Sequence, residues 1–489
     1  MSGFSHWTQA SGSDISELDV KSVFMEGSNA IVGSYNKGVY YSSNSGKTWT
    51  QTYLSDDTVS SVFMEGSNAL AGTRHNGVYY SSNYGKNWTK NSDIDGGVYG
   101  VFMNGLNALA VPSGDGLYYS SNSGKNWTPT DLSDKDFSTV FIDGLNTIAG
   151  TLNNGVYYSS NYGKNWTPTN LSDVTVRSVF MEGSNAIAGT DRGVYYSSNS
   201  GKNWSQSSDI DRSVYTVFME GSNALASPSG DGLYYSSNSG KNWTKNSDID
   251  GGVYGVFMEG SNAIAGTLNN GVYYSSNYGK NWSQSSDIDG SFYEVFIDGL
   301  NALAVPEGYG LYYSTLNFVC FKQDAKILTD KGYIKIQDLH PGDLVKTVSN
   351  GFKHIHSIGK RDIHHPASSE RLQDQLYLCA KEHYPELFED LVITGCHSIL
   401  VPQYKDDAER DKTIEVFGNT YVTEGYYRLP ACVDERASVY NEGGNYTIYH
   451  FALENNDNNT NYGVYANGLL VETCSKQYLN ELSGMELIE

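Results

Sequence analysis

The chain has 489 residues, enough for two or more domains, with 39% hydrophobic and 13% aromatic content that suits a folded β-rich protein rather than a disordered one. A net charge of −23 leaves no basic surface for nucleic acid and favours neutral or cationic partners. The opening MSGFSHWTQASG has no basic segment and no apolar core, so no signal peptide is expected, and no apolar run reaches the length of a membrane span. A cytoplasmic location is therefore expected.

The motif VF[MI]xG begins at Val23, Val62, Val101, Val140, Val179, Val217, Val256 and Val295, spaced by 39 residues with a single 38. A period of that size marks a propeller or solenoid. Each unit holds four short alternating runs, such as SVFMEG, NAIAG, GVYYSSN and KNWT, separated by turn residues. Four antiparallel strands per unit predict a propeller blade.

Seven units run through a tryptophan strand, from Trp49 to Trp282, and the eighth stops after GLYYSTLN. The orphan FSHWTQ at the start carries Trp7. Placing it on the edge of the last blade predicts an eight-bladed ring joined at the chain ends, with no open edges. Seven blades with a loose end is the alternative.

Segments such as SSNSGKTWT (Ser42–Thr50) and SSNYGKNWT (Ser81–Thr89) resemble the Asp-box, or BNR repeat, of sialidase-like propellers, with Asn in place of Asp. In that family the box is a structural turn. NWT and NWS also read as glycosylation sequons, but without an export signal the turn reading is preferred. A sialidase-type site would need an arginine cluster, whereas residues 1–319 hold only Arg74, Arg177, Arg192 and Arg212, at unmatched places. The blades differ most in one loop (GSYNKG, GTRHNG, VPSGDG, GTDRG, VPEGYG), which makes that face the candidate surface for a protein or glycan. Unselected drift would produce the same variation.

At Cys320 the composition changes. All five cysteines and eight of the ten histidines follow residue 319, and all eight tryptophans precede it. An odd cysteine count without export signals reads as free thiols. CFKQDAKILTDKGYIKIQDLHPGDLV, LVITGCHSILV and YHFALENNDNNTNYGVYANGLLVETCS together resemble the three blocks of the Hint module of hedgehog autoprocessing domains and inteins. The boundaries implied are a propeller over 1–319, a Hint-type β domain over 320–475 and a short acidic tail over 476–489.

The resemblance implies autocatalytic cleavage. Cys320 is the nucleophile, the Val319–Cys320 peptide is the scissile bond, Thr394 holds that amide and His397 protonates its nitrogen. Such a thiol would attack the Val319 carbonyl and exchange the amide for a thioester. No cofactor or metal is implied. Taken alone, Cys320 would be a buried small hydrophobe and His397 an ordinary strand histidine.

Two departures matter. Val471-Glu472-Thr473-Cys474 lacks the terminal Asn of splicing inteins, so cleavage without religation is expected. Where many Hint modules carry an acid, this chain has His450, an alternative base or a sign of an impaired second step. A structural or binding propeller carrying an inactive Hint domain is therefore the rival reading. The fused arrangement resembles proteins of giant DNA viruses of protists, which implies a virion-associated location as the alternative to a cytoplasmic one, and assembly into a larger particle.

Three smaller expectations concern the same region. The long segment Arg361–Asp390 has helical apolar spacing up to Pro385, predicting an inserted helix. His354, His356, His364 and His365 lack further ligands at defined spacing and read as surface residues rather than a metal site. Cys379, Cys396 and Cys432 read as core thiols.

Overall fold

The computed structural model describes residues 4–488 except 5–6, 55–56, 115, 133–134, 286, 300, 316–318, 366, 368–370, 372, 374, 418 and 480–484. It divides into two compact units, one over Phe4–Ser314 and one beginning at Thr315.

The first unit is an eight-bladed propeller of four-stranded antiparallel meanders. Blade 1 comprises Val20–Glu26, Asn29–Ser34, Gly38–Ser42 and Thr50–Gln51. The last blade has Phe292–Asp298, Asn301–Pro306 and Tyr312–Thr315, and its fourth strand is the N-terminal Thr8–Gln9, with Thr8 opposite Tyr313. Trp7 there donates its indole N–H to the Phe4 carbonyl at 2.9 Å and to Ser285 Oγ at 3.1 Å. The ring closes as the tryptophan count predicts.

The turn after each third strand follows from its residue types. In blade 1 the Ser42 hydroxyl donates to Asn44 Oδ1 at 2.9 Å and accepts the Gly46 N–H at 3.0 Å, while Asn44 Oδ1 also accepts the Thr48 N–H. Trp49 Nε1 donates to the Gly46 carbonyl at 2.8 Å. Gly85, its counterpart in blade 2, has φ +75°, and a Cβ there would lie 2.4 Å from Ile31 Cγ2 of blade 1. Glycine is required by both the dihedral and the close approach.

Each innermost strand has a bulge near its start, at the position of Lys21, Ser60, Tyr99, Ser138, Arg177, Tyr215, Tyr254 and Tyr293. Bulges re-aim a side chain, and Tyr99, Tyr215 and Tyr293 are exposed. Further along, Phe24, Phe63, Phe102, Phe141, Phe180, Phe218, Phe257 and Phe296 follow one another around the channel, with measured ring neighbours 4.3–6.4 Å apart. Beyond them a carboxylate girdle links successive blades. Glu26 accepts the Gly66 N–H at 2.7 Å, Glu65 that of Gly105, Asp143 that of Gly183, and Asp298 of the last blade that of Gly27 in the first.

The second unit is also β-rich. Phe352–His365 pairs along its length with Gly444–Leu453, from Ile355 opposite Leu453 to His365 opposite Gly444. Its core gathers Phe321, Ile327, Val345, Ile358, Ile393, Phe451 and Val471.

The helix expected within Arg361–Asp390 is not formed where the chain is described. Leu376–Cys379 is a strand between Leu391–Thr394 and Ser438–Val439, while residues 366, 368–370, 372 and 374 lie outside the described set. The apolar residues there serve sheet pairing, which overrode the 3.6-residue spacing. The longest helix among the described residues of this unit is Asp407–Phe417. His365 is fully buried rather than on the surface, with Nε2 2.7 Å from the Tyr440 carbonyl. The side chain of His364 lies outside the described set. Residues 480–484 of the C-terminal segment do too, but Glu486–Ile488 pairs with the long strand at Ile358–Lys360. No helix among the described residues is long and apolar enough to cross a membrane.

Candidate functional site

Strand register brings the reactive groups together. Phe321–Lys322 lies between Leu391–Thr394, with Phe321 opposite Ile393, and Gly444–Leu453, with Phe321 opposite Tyr449. One residue upstream in these antiparallel pairs, Cys320 therefore faces Thr394 on one side and His450 on the other. The Cys320 N–H, which is the nitrogen of the Val319–Cys320 peptide, donates to Thr394 Oγ1 at 2.9 Å. The Thr394 N–H donates to the Cys320 carbonyl at 3.0 Å.

A tight turn then returns His397 to the site, its N–H donating to the Thr394 carbonyl at 2.9 Å. The His397 ring lies edge-on to Phe321, with centroids 4.3 Å apart, and 5.4 Å from the His450 ring. Cys320, His397 and His450 are all 0% exposed, and Thr394 is 4% exposed. Val319 is half-buried. All five residues named from the sequence thus meet in one enclosed place.

Burial dominates their electrostatics. Neither imidazole has a hydrogen-bond partner of ordinary geometry among the described residues. Desolvation lowers His397 to about 4, opposed only in part by the nearby backbone of Cys320 and Glu472. His450 is pushed well below its ordinary value by desolvation and then by His397. Burial raises the Cys320 thiol far above its usual range, with Arg361 pulling weakly the other way. At neutral pH the site holds an un-ionised thiol and two neutral imidazoles.

Three further groups border the junction that the sequence reading did not assign. Cys474 bridges Ala452, two residues along from His450 on the same strand, and burial, then the neighbouring Cys320, raises its thiol well above the usual range. Burial, then the neighbouring Cys320 and Cys474, raises the Tyr478 hydroxyl well above its usual range, with the Val319 N–H opposing that rise. Glu472 is buried and its carboxyl is raised by desolvation, with Arg428 Nε 2.7 Å away opposing that rise. Only the spacing after the ANG turn could have hinted at Cys474, and nothing local pointed to Tyr478.

All five cysteines are buried, and none of them forms a disulfide. Among the described residues no group of three or more His, Cys, Asp or Glu is arranged to hold a metal. A cavity of ≈ 540 Å³ on this unit is lined by Lys322, Asp324, Lys326, Lys335, Glu389 and their neighbours, and does not include the site.

Residues 319–412 match the family model described as Hint domain. No curated protein matches the chain. Among solved structures, the computationally designed Ika8 protein is similar over 63% of this chain and 100% of its own, at 5% identity and TM-score 0.56. BamB from Moraxella catarrhalis (11% identity, 63% and 98% covered, TM-score 0.46) and YCF48 from Cyanidioschyzon merolae (16%, 63% and 98%, 0.43) are similar over the same share of the chain. The likeness to the designed protein speaks to fold alone, and the two weaker ones add nothing to it. The chain is an eight-bladed β-propeller followed by a C-terminal Hint domain.

Proposed function

We propose that the Hint domain cleaves its own chain between Val319 and Cys320 and releases the propeller. The observation that carries this reading is Thr394 Oγ1 accepting the N–H of that peptide at 2.9 Å, beside a thiol and two imidazoles that no separate substrate can reach. An enclosed nucleophile one peptide bond away from the carbonyl it would attack favours intramolecular reaction.

The Cys320 thiol gives its proton to the neutral imidazole of His397, with His450 as an alternative base. The sulfur attacks the Val319 carbonyl carbon, and the C–N bond breaks as the imidazolium returns the proton to the departing nitrogen. The products are a Val319 thioester on Cys320 Sγ and a free α-amine on Cys320. Water, a thiol or an amine then takes the acyl group and regenerates the Cys320 thiol. Thr394 holds the amide in place during the attack.

Because thiol and imidazole both start neutral, no net proton is gained or lost before the bond breaks. The stretch Val471-Glu472-Thr473-Cys474 lacks the Asn that splicing would need, which supports release rather than religation. In the same reading the propeller turns are of Asp-box type, with Asn44 and its counterparts in the place of Asp.

Intact-mass measurement after expression tests the proposal. The wild type should give fragments of 319 and 170 residues (489 − 319 = 170), faster with dithiothreitol or hydroxylamine, while Cys320→Ala stays whole. Wild type that remains whole under those conditions overturns it in favour of a scaffold with an inert Hint domain.

A further inference from the structure

Eightfold repetition makes departures from it informative. Just past the bulge, where each innermost strand enters the channel, seven blades carry Ser22, Ser61, Gly100, Thr139, Ser178, Thr216 and Gly255. The eighth carries Glu294. Ser22 Oγ, Ser61 Oγ and Ser178 Oγ accept the N–H of the valine in the next blade, and Glu294 does the same for Val23. The fold needs only a small acceptor at this position, and blade 8 supplies a carboxylate.

Glu294 lines a cavity of ≈ 380 Å³ at the channel mouth, with Ser22, Ser61, Thr139 and Tyr99 among the other walls and Phe102 at its base. Glu294 is half-buried on this wall, and desolvation raises its carboxyl to about 8. A cation bound here would favour the ionised carboxylate and bring that value down. Lys21 on the same wall already pairs with Asp19 at 2.8 Å.

The rim breaks symmetry independently. In two other blades the bulge tyrosine meets a loop serine, Ser113 with Tyr99 and Ser229 with Tyr215, each at 3.2 Å. In blade 8 the loop residue is Glu307, which accepts from the Tyr293 hydroxyl. One blade thus puts a carboxylate on both floor and rim, where its siblings have Gly or Thr and Ser. Tyr99 and Tyr293 are the aromatic residues lining the cavity, and Tyr254 stands edge-on to Tyr293 with centroids 4.9 Å apart. Carboxylate plus aromatic wall is the chemistry that recognises an ammonium or guanidinium group. Strand direction places this mouth on the same face as the variable loops.

We infer that the cavity between Glu294 and the bulge tyrosines is a binding site for an organic cation, the side chain of a lysine or arginine on a partner peptide. The inference does not rest on self-cleavage.

Ligand-observed NMR tests it, using the full chain in a Cys320→Ala background so that its length is the same whether or not the wild type cleaves. The probe is Nα-acetyl-lysine amide, with the isosteric norleucine amide as control. The lysine probe should bind and the norleucine probe should not. Glu294→Ser, which copies three sibling blades and so preserves the fold, should weaken binding about tenfold or more. Tyr99→Ser should weaken it about threefold. No binding of the lysine probe at about 10 mM, equal binding of the norleucine probe, or unchanged binding in Glu294→Ser overturns the inference.

Discussion

The propeller and the Hint domain use opposite strategies to place their side chains. In the propeller almost every contact recurs around the ring, so the girdle, the phenylalanines and the glycine turns build a scaffold in which no single copy is special. In the Hint domain every reactive group occurs once, and strands distant in sequence must cross to assemble them. Cys320 and Thr394 meet because Phe321 pairs with Ile393, and His450 joins because Phe321 also pairs with Tyr449. Repetition therefore confines specific chemistry to the blade that departs from it, whereas the non-repeating domain concentrates it at a strand crossing.

The largest expected break in this comparison is kinetic. His397→Gln should slow cleavage about 10³-fold, or ~4 kcal/mol of activation free energy, and Thr394→Val about 10²-fold, as followed by intact mass. Across pH 6–8 the wild-type rate should be nearly flat, because thiol and imidazole begin neutral. A tenfold rise per pH unit would mean that pre-formed thiolate is required, and would sink the coupled proton transfer. The matching substitution in the propeller, Glu65→Gln, should leave the rate unchanged.

Next comes the pH dependence of stability, which should differ in sign between the two units. His397 has a folded value of about 4, below its unfolded value near 6.5, so the unfolded state binds the proton more readily. Its contribution, ~3 kcal/mol at most, is complete above about pH 6.5 and is lost as pH falls toward 4. Buried His450 adds in the same direction.

In the propeller, Glu294 is raised to about 8, and Glu220 and Asp298 are raised by desolvation as well. Those groups stabilise the folded state below their unfolded values and lose that contribution as pH rises through the folded ones. Calorimetry of Cys320→Ala between pH 4 and 8 should show the two transitions moving in opposite directions. Glu294→Ser should flatten the dependence of the propeller alone.

Smaller effects separate packing from decoration within the ring. Gly85→Ala combines a positive φ with a clash against Ile31 and should cost about 2 kcal/mol. Glu65→Gln keeps an oxygen for the Gly105 N–H and should cost about 0.5 kcal/mol or less in thermal unfolding. If Glu65→Gln were the costlier of the two, the girdle rather than the turns would hold the blades together.

Much of this was legible in one dimension because the signals were local or periodic. The ring closure follows from counting tryptophans, since a missing strand at one end and a spare one at the other have a single economical pairing. Cys320, Thr394 and His397 were marked by short motifs whose spacing encodes a turn. The segment before Asp390 was misread because the run Leu376–Cys379 satisfies helical spacing equally well, and only its partner Leu391–Thr394 selects the strand. His365 looked like one of a surface group until Tyr440 covered it. Cys474 and Tyr478 approach the junction from more than 150 residues away, a distance no local pattern encodes.

The sequence by itself determined the number of blades, the place where the repeat ends and the residue types available at the junction, because periodicity and short-range turn chemistry act within a few residues. Tertiary structure alone decided which of those residues share one dry enclosure, which protonation states burial imposes on them, and that Glu294 faces a cavity its sibling residues line only with hydroxyls or hydrogens. Those properties depend on desolvation and strand crossing, and both are set by neighbours that lie far apart in the chain.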